Sequence, residues 1–508
     1  MMGMMEAAFL EGLAKDSYWE FFSRHAFGSQ NPEEHPELEV IGKKIAGRLK
    51  GSPLAAKTLG GLLNSDLHER HWRNIMNSEI WELKQGRISP WMAQSFIAPQ
   101  GNMRIEVVGS EYFHDLLGRS FFECSFWKDK YVMHDLIHDL VQSVSVDEHQ
   151  RIEDVKWQEI PSRIRHLSIC TKNLELSQLA DFGNYKNLRT LVFVNLYDAN
   201  LDSMLDCLFT RLTNIRVLRL RKCGIQELPG SIGKLKLLRY LDVSENNIPR
   251  LPESLCNLYN LLVLNISDCL IENFPARMTN LVKLRQLVAD AKTICKLADI
   301  GKLTSLQELP NFKVEKQRGH KIEELKDMMQ LHGRLRIENL ENVESREEAN
   351  QAKLNGKHYI DELELVWNSS GNDDEVLEGL KPHSDLGRLE IRNYGGVRFP
   401  SWLDPQSLGS LKAIFPENIQ SCEQVPSIGQ LSFLKILHIK NMHAVKLVGH
   451  EFYGSPEVKG FPSLEELRIS GMPAWEEWFG TEGIQMFPCL LKLHVEDCPK
   501  LKGLASLA

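Results

Sequence analysis

Hydrophobic positions recur along this chain with a fixed stride, and that stride predicts its main element. The segment L-x-x-L-x-x-L-x-L, aligned on its third apolar position, falls at Leu218, Leu241, Leu264 and Leu287, each 23 residues after the one before. The positions around it keep step: Ile225, Ile248 and Ile271; Leu228, Leu251 and Phe274; Pro229, Pro252 and Pro275; Ile232, Leu255 and Met278. Within a unit, Leu218-x-Leu220 alternates with the period of a strand. Both leucines then point inward, and Arg219 and Arg221 lie on the other face. A turn position follows, filled by Cys223, Asn246 and Cys269, where a small side chain can hydrogen-bond the backbone as it leaves the strand. The Leu-Pro after it ends regular pairing, because proline has no N–H to give a ladder.

One such unit cannot bury its own leucines, so the units must stack into a curved solenoid. Each leucine buried this way is worth roughly 1.5–3 kcal/mol over leaving it exposed. The expected fold class is an α/β leucine-rich-repeat solenoid, a horseshoe, preceded by a mainly helical segment. The pattern extends upstream to Arg165–Ile169 and Asn187–Phe193. Downstream its units centre on Phe312, Leu335, Leu363, Leu389, Ile414, Leu437, Leu467 and Leu493, with gaps of 23 to 30 residues. About fourteen units are expected from residue 160 onward.

Residues 1–150 read differently, as helices. Trp19, Phe22 and His25–Phe27 form one apolar face, and Leu38, Ile41, Ile45 and Leu49 another. Pro32 and Pro36 predict a loop between them, and Gly51-Ser52-Pro53-Leu54 breaks the second helix before Ala55–Leu63 starts a third. Leu136, Ile137, Leu140, Val141 and Val144 share a face, which places Asp135 at a helix start.

Bulk chemistry narrows the class. With 43% hydrophobic and 25% charged residues over 508, the chain is globular rather than disordered. A net charge of -8 argues against nucleic acid as the main partner. Ten cysteines without a C-x-x-C pair fit free thiols in a reducing compartment. No secretory leader and no membrane span are read, so the expected location is cytoplasmic, with the nucleus and the membrane periphery as further expected places.

At several places the helical segment resembles a known family. Gly51-Ser52-Pro53-Leu54-Ala55 resembles the G-L-P-L-A motif of plant NB-ARC domains, with Ser52 in place of leucine. Trp91–Ile97 resembles the L-W-M-A-E-G-F-I stretch of that family, and Tyr112–Phe122 its Y-F-x-D-L-L-x-R-S-F-F. Met133-His134-Asp135 matches the M-H-D motif, in its expected place before the repeats. The chain is thereby similar to plant NB-ARC leucine-rich-repeat disease-resistance proteins of the coiled-coil type. That resemblance implies the C-terminal part of an NB-ARC domain over 1–85, a partial winged-helix subdomain over 86–150, and leucine-rich repeats over 160–508. It also implies an ADP/ATP switch, in which Pro53 packs on the adenine, His134 reaches the ADP phosphate and Asp135 steadies the loop. A histidine suits a phosphate, since its ring nitrogen can donate to the anion.

The sequence departs from that family where phosphate would bind. A phosphate loop needs G-x-x-x-x-G-K-[ST], whose backbone N–H groups and lysine cradle the anion. Gly42-Lys43, Gly233-Lys234, Gly301-Lys302 and Gly356-Lys357 all lack the rest of it. The helical stretch expected between Leu83 and Trp91 is also short. These absences lead us to expect a chain truncated at its N-terminus, with weak or no ADP binding of its own and no enzymatic activity. His134 and His138 are spaced like a zinc pair but lack the H-E-x-x-H glutamate. Two functional readings follow. In the first, the concave face carries Arg219, Arg221, Asp242, Ser244, Asn265 and Ser267 against a protein: a pathogen effector, a guarded host protein or NB-ARC surface. In the second the chain is a nucleotide-driven switch. The missing phosphate loop favours the first, with pathogen sensing and defence signalling as the role the resemblance implies.

Overall fold

The computed structural model describes residues 15–28, 30–48, 105–118, 122–124, 131–133, 148–152, 163–170, 185–194, 201–369, 373–454, 460–479 and 486–502, and isolated positions between 56 and 72. The chain divides into two compact units, 1–150 with 163–166, and 151–162 with 167–508.

In the first unit, helix α1 (Lys15–Phe27) and helix α2 (Pro36–Arg48) share an apolar core. Tyr18, Phe22 and Ala26 form the buried stripe of α1, one helical turn apart, with Trp19 packed at its edge. Leu38, Ile41 and Ile45 answer it from α2. Pro36 is the first residue of α2 rather than part of the expected loop. Its missing N–H is one of the donors a helix start leaves unpaired anyway. Trp72 closes the core: it is fully buried, its ring lies 4.8 Å from Phe27, and its indole N–H donates to the Leu63 carbonyl at 3.1 Å. Gly60 lies where a Cβ would come within 2.7 Å of the His25 Cβ, so only a bare Cα lets that stretch approach α1.

Helix α3 (Ile105–Gly118) carries the Tyr112–Leu117 motif, and strands β1 (Phe122–Cys124) and β2 (Tyr131–Met133) follow as an antiparallel pair. The Phe113 ring stacks on Phe122 at 5.2 Å, tying the helix to the hairpin. The helical reading of 1–150 therefore needs one correction: it contains a short β-hairpin. These strands are too short for period two to show in the sequence.

The second unit is built from parallel strands. In chain order they are β3 (His149–Ile152), β4 (His166–Ile169), β5 (Thr190–Phe193), β6 (Val217–Arg219), β7 (Tyr240–Asp242), β8 (Val263–Asn265) and β9 (Gln286–Val288), which form one seven-stranded sheet in sequential order. A second sheet holds β10 (Asn311–Lys313), β11 (His332–Glu338), β12 (Tyr359–Val366), β13 (Arg388–Arg392), β14 (Ala413–Ile419), β15 (Ile436–Met442), β17 (Glu466–Ser470) and β19 (Lys492–Glu496). Register follows the leucine pattern: Leu191, Leu218, Leu241, Leu264 and Leu287 pair in turn. So do Leu335, Leu363, Leu389, Ile414, Leu437, Leu467 and Leu493. Phe312 is the exception, since it pairs with Ile337, two places past Leu335. Pro310 stands just before β10 and cannot donate to a ladder, which accounts for the break between the sheets.

Each chain turn is closed by side chains the repeat supplies. Pro229 and Pro252 hold φ at -67° and -69° and precede 3-10 helices Gly230–Lys234 and Glu253–Asn257 on the back of the sheet. Lys222, Glu245 and Asp268 take positive φ of 58°, 56° and 55° where the chain leaves the strand. The next residue is the turn position. Asn246 there is 2% exposed and fully engaged. Its amide oxygen accepts from the N–H of Cys223 (2.9 Å) and Ile225 (3.1 Å). Its amide nitrogen donates to the carbonyls of Leu220 (2.8 Å), Val243 (2.7 Å) and Ser244 (3.2 Å). The Cys269 thiol donates to the Val243 carbonyl at 3.2 Å. Burial pushes that thiol up to about 11, so it stays protonated and structural.

Trp475 and Trp478 belong to a packed insertion. A two-stranded parallel ladder joins β16 (Leu447–Val448) to β18 (Glu477–Trp478), and the Trp478 indole donates to the Tyr453 hydroxyl at 2.6 Å. Both tryptophans are buried.

Candidate protein-interaction face

Along the strands of the two sheets the inward apolar residues, mostly leucines, alternate with residues on the open side. On β6 to β8, and two residues past the end of each, lie the six positions singled out from the sequence. Arg219 and Arg221 are half-exposed and paired: the Arg219 Nε lies 3.3 Å from an Asp242 oxygen, and the Arg221 Nε donates to Glu245 at 2.7 Å. The hydrogen bond from Arg221 holds the Glu245 carboxyl below its ordinary range. Asn265 and Ser267 are partly exposed, with the Ser267 hydroxyl donating to the Asn265 oxygen at 2.9 Å.

Asp242 and Ser244 differ from the expectation, being buried at 2% exposure each. The Ser244 hydroxyl donates to Asp242 at 2.6 Å, and the arginine above covers the carboxylate. Asp242 pairs with Arg219 from beneath, and Ser244 in turn holds Asp242. Pro53, His134 and Asp135 lie outside the described residues. Among the described residues no group of three or more metal-ligating side chains is assembled, and no helix is long and apolar enough to cross a membrane.

A denser constellation, missed from the sequence, occupies β11 to β19. Glu364, 1% exposed, accepts from the guanidiniums of Arg334 and Arg336 and lies within ion-pair distance of a third. Arg334 Nη2 lies 2.6 Å away, Arg336 Nη1 2.7 Å and Arg392 Nε 3.2 Å. Glu390 sits beneath Arg388 and Arg392, at 3.3 and 3.1 Å. The Arg388 guanidinium then stacks 3.9 Å above the Phe415 ring, a cation–π contact. Phe415 meets His438 edge-on at 5.0 Å, and the His438 Nε2 lies 2.9 Å from Glu466. Arg468 and Lys492 reach the same carboxylate at 2.7 and 3.3 Å. The signal was present in the strand sequences, Arg-Leu-Arg-Ile-Glu on β11 and Arg-Leu-Glu-Ile-Arg on β13, where opposite charges recur on one face of neighbouring repeats.

Burial alone would raise the Glu466 carboxyl, but hydrogen bonds from His438 and Lys492 and the charge of Arg468 outweigh it and bring it down to about 2. A carboxylate depressed on folding stabilises the native state above the ordinary carboxylate range, and that contribution is lost as pH falls toward 2. In urea titrations, wild type is therefore expected to lose stability between pH 4.5 and 2. Glu466→Gln should show a flatter acid limb. Parallel acid limbs for the two proteins would mean that these contacts do not persist in solution.

Comparison with known proteins agrees with this architecture. Residues 81–141 match a disease resistance protein winged helix domain, residues 163–287 a leucine-rich repeat region, and residues 322–442 the R13L1/DRL21 leucine-rich repeats. The chain is 33% identical to a putative disease resistance protein (At3g14460) of Arabidopsis thaliana, over 96% of its own length and 39% of that protein. It is 32% identical to the putative disease resistance RPP13-like protein 1 of the same plant, covering 97% of this chain and 53% of that one. With the putative disease resistance protein RGA1 of Solanum bulbocastanum it shares 34% identity, over 98% and 53% of the two chains. The chain thus spans about half the length, or less, of these relatives. On this combination of winged-helix match, repeat matches and chain-long identity, the protein belongs to the RPP13- and RGA-like family of plant disease-resistance proteins, whose winged-helix and leucine-rich-repeat regions it carries.

Proposed function

We propose that this chain serves plant innate immunity as a recognition module: the open face of its solenoid binds a pathogen effector or a guarded host protein. The observation that carries this reading is the long run of polar, part-exposed side chains on that face, held in fixed rotamers by pairs such as Arg219–Asp242 and Arg392–Glu390. Side chains already immobilised lose little further entropy on binding, which favours affinity. ADP and ATP are the ligands of the family's switch, and Pro53, His134 and Asp135 are the positions proposed to touch them. Without a phosphate loop in the sequence, those three supply one side of a pocket and no site for Mg²⁺ or the outer phosphates. In this reading the residues present act by binding a protein, in the cytoplasm, with NB-ARC surface as a second protein partner.

A surface-plasmon-resonance panel of effector and host proteins against the full chain tests this, with ADP titrated in parallel. A genuine partner should lose at least tenfold in affinity when open-face arginines are reversed, as in Arg219→Glu with Arg221→Glu or in Arg334→Glu with Arg392→Glu. ADP should give no tight, stoichiometric binding. Partners indifferent to every open-face reversal would move recognition off the sheet, and an ADP Kd near 1 μM would restore the switch to this chain.

A further inference from the structure

The array on β11 to β19 has a layered charge. Its three central carboxylates lie deep and the cations over them reach farther out: the Glu364, Glu390 and Glu466 side chains are 2, 8 and 16% exposed, against 52% for Arg334, 51% for Arg468 and 61% for Lys492, while Glu338 and Glu417 stay 24% exposed between them. Glutamate is the shorter side chain and sits at the sheet surface, while arginine and lysine reach over it. Arg334 and Arg468 each spend some of their five donors on the glutamate below and, being half-exposed, keep others toward solvent. An approaching molecule therefore meets a layer of pre-positioned cationic donors.

In the middle of this layer lies Phe415, under the Arg388 guanidinium and against the His438 edge. Aromatic and arginine anchors ringed by polar groups are the usual make-up of an energetic centre in a protein interface. We infer that this patch, centred on Phe415 and flanked along the sheet by Arg334 and Arg392 on one side and Lys440, Arg468 and Lys492 on the other, is the docking site for an acidic protein segment bearing an aromatic or aliphatic side chain. This inference rests on the recognition reading and deepens it by naming the strands and the partner's chemistry.

Charge complementarity selects the occupant. Carboxylates spaced along a peptide can each take a free guanidinium face, bidentately and without disturbing the glutamates beneath. A nucleic acid fits worse. Its evenly spaced phosphates cannot avoid Glu338, Glu362 and Glu417 on the same surface, whereas the carboxylates of a peptide can be spaced to pass them. Because the array is close to neutral as a whole, it has little long-range pull, so attraction is confined to direct contact.

The test uses the full chain and a fluorescein-labelled peptide of repeated Glu-Phe-Glu-Asp, followed by anisotropy. A Lys-Phe-Lys-Lys peptide and a deoxythymidine 12-mer serve as comparison probes. The acidic peptide is expected to bind and both comparison probes to fail. Arg334→Gln with Arg468→Gln and Lys492→Gln should weaken binding at least tenfold at a temperature where a cooperative melt shows the variant still folded, although the lost ion pairs lower its melting temperature. Phe415→Ser should weaken the Phe-containing peptide but not its serine counterpart. No binding of the acidic peptide at about 1 mM overturns the inference, and so does equal binding of the oligonucleotide. Binding lost only in Arg219→Gln with Arg221→Gln would overturn this placement and leave the recognition reading standing, with its site on β6 to β8.

Discussion

Replacing Asn246 with alanine is expected to cost about 4 kcal/mol, close to the largest loss a single side chain gives in a domain of ordinary stability. The reason is arithmetic on buried polar groups. The amide of Asn246 satisfies two N–H donors and three carbonyls, in a place water does not reach. Each buried group left without a partner costs about 1–3 kcal/mol, and relaxation recovers part of the total. The bonds to Leu220, Cys223 and Ile225 cross from one repeat to the one before, so the loss falls on the interface between stacked units. In a solenoid that coupling decides whether the array melts as one body. Urea denaturation of Asn246→Ala should therefore show a lower midpoint and a broadened transition. Asn246→Cys should recover part of the loss, because Cys223 and Cys269 fill the same turn in the neighbouring repeats. A midpoint shift corresponding to less than about 1 kcal/mol would mean that leucine packing alone holds the repeats.

Glu364→Ala should also be strongly destabilising, at about 3 kcal/mol. Removing one member of a buried ionic cluster leaves its partners uncompensated, which typically costs 3–5 kcal/mol. Here Arg334, Arg336 and Arg392 would face one another with their shared carboxylate gone. All three reach solvent in part, which places the expected cost at the lower end. Two controls separate charge from shape. Glu364→Gln keeps the volume and one acceptor, and should lose less than alanine. Raising the salt concentration should narrow the gap between wild type and variant, since the exposed ends of the arginines are screened. An unchanged melting temperature for Glu364→Ala would show that these arginines are already solvated and the array loosely held.

Both expectations concern groups that sequence reading handled unequally. Asn246 stood out because its position recurs with the leucines, and its role needed only the knowledge that a turn follows each strand. The same stride anticipated the paired rows from Leu191 to Leu287 and from Leu335 to Leu493. Packing of small apolar side chains in identical units admits few arrangements, so spacing along the chain translates directly into neighbours in space. Where a unit is irregular, that translation fails: Pro310 interrupts the ladder, and Phe312 consequently falls two places off the row.

Glu364 was not found that way. Its partners come from β11 and β13, 28 to 30 residues away in sequence, and nothing in its own strand says it will be buried. Asp242 and Ser244 teach the converse, for they read as surface residues and are covered by the arginine beside them. Polar side chains on an open sheet face have several rotamers and several possible partners, and only the positions of neighbouring strands choose among them. The sequence by itself determined the repeat, its inward rows, the turn asparagine and the resemblance to a resistance-protein family, because those follow from spacing and residue type. The tertiary structure decided which charges lie under which, where the aromatic centre of the open face falls and which predicted contacts are hidden, because those depend on distances that only the stacked repeats create.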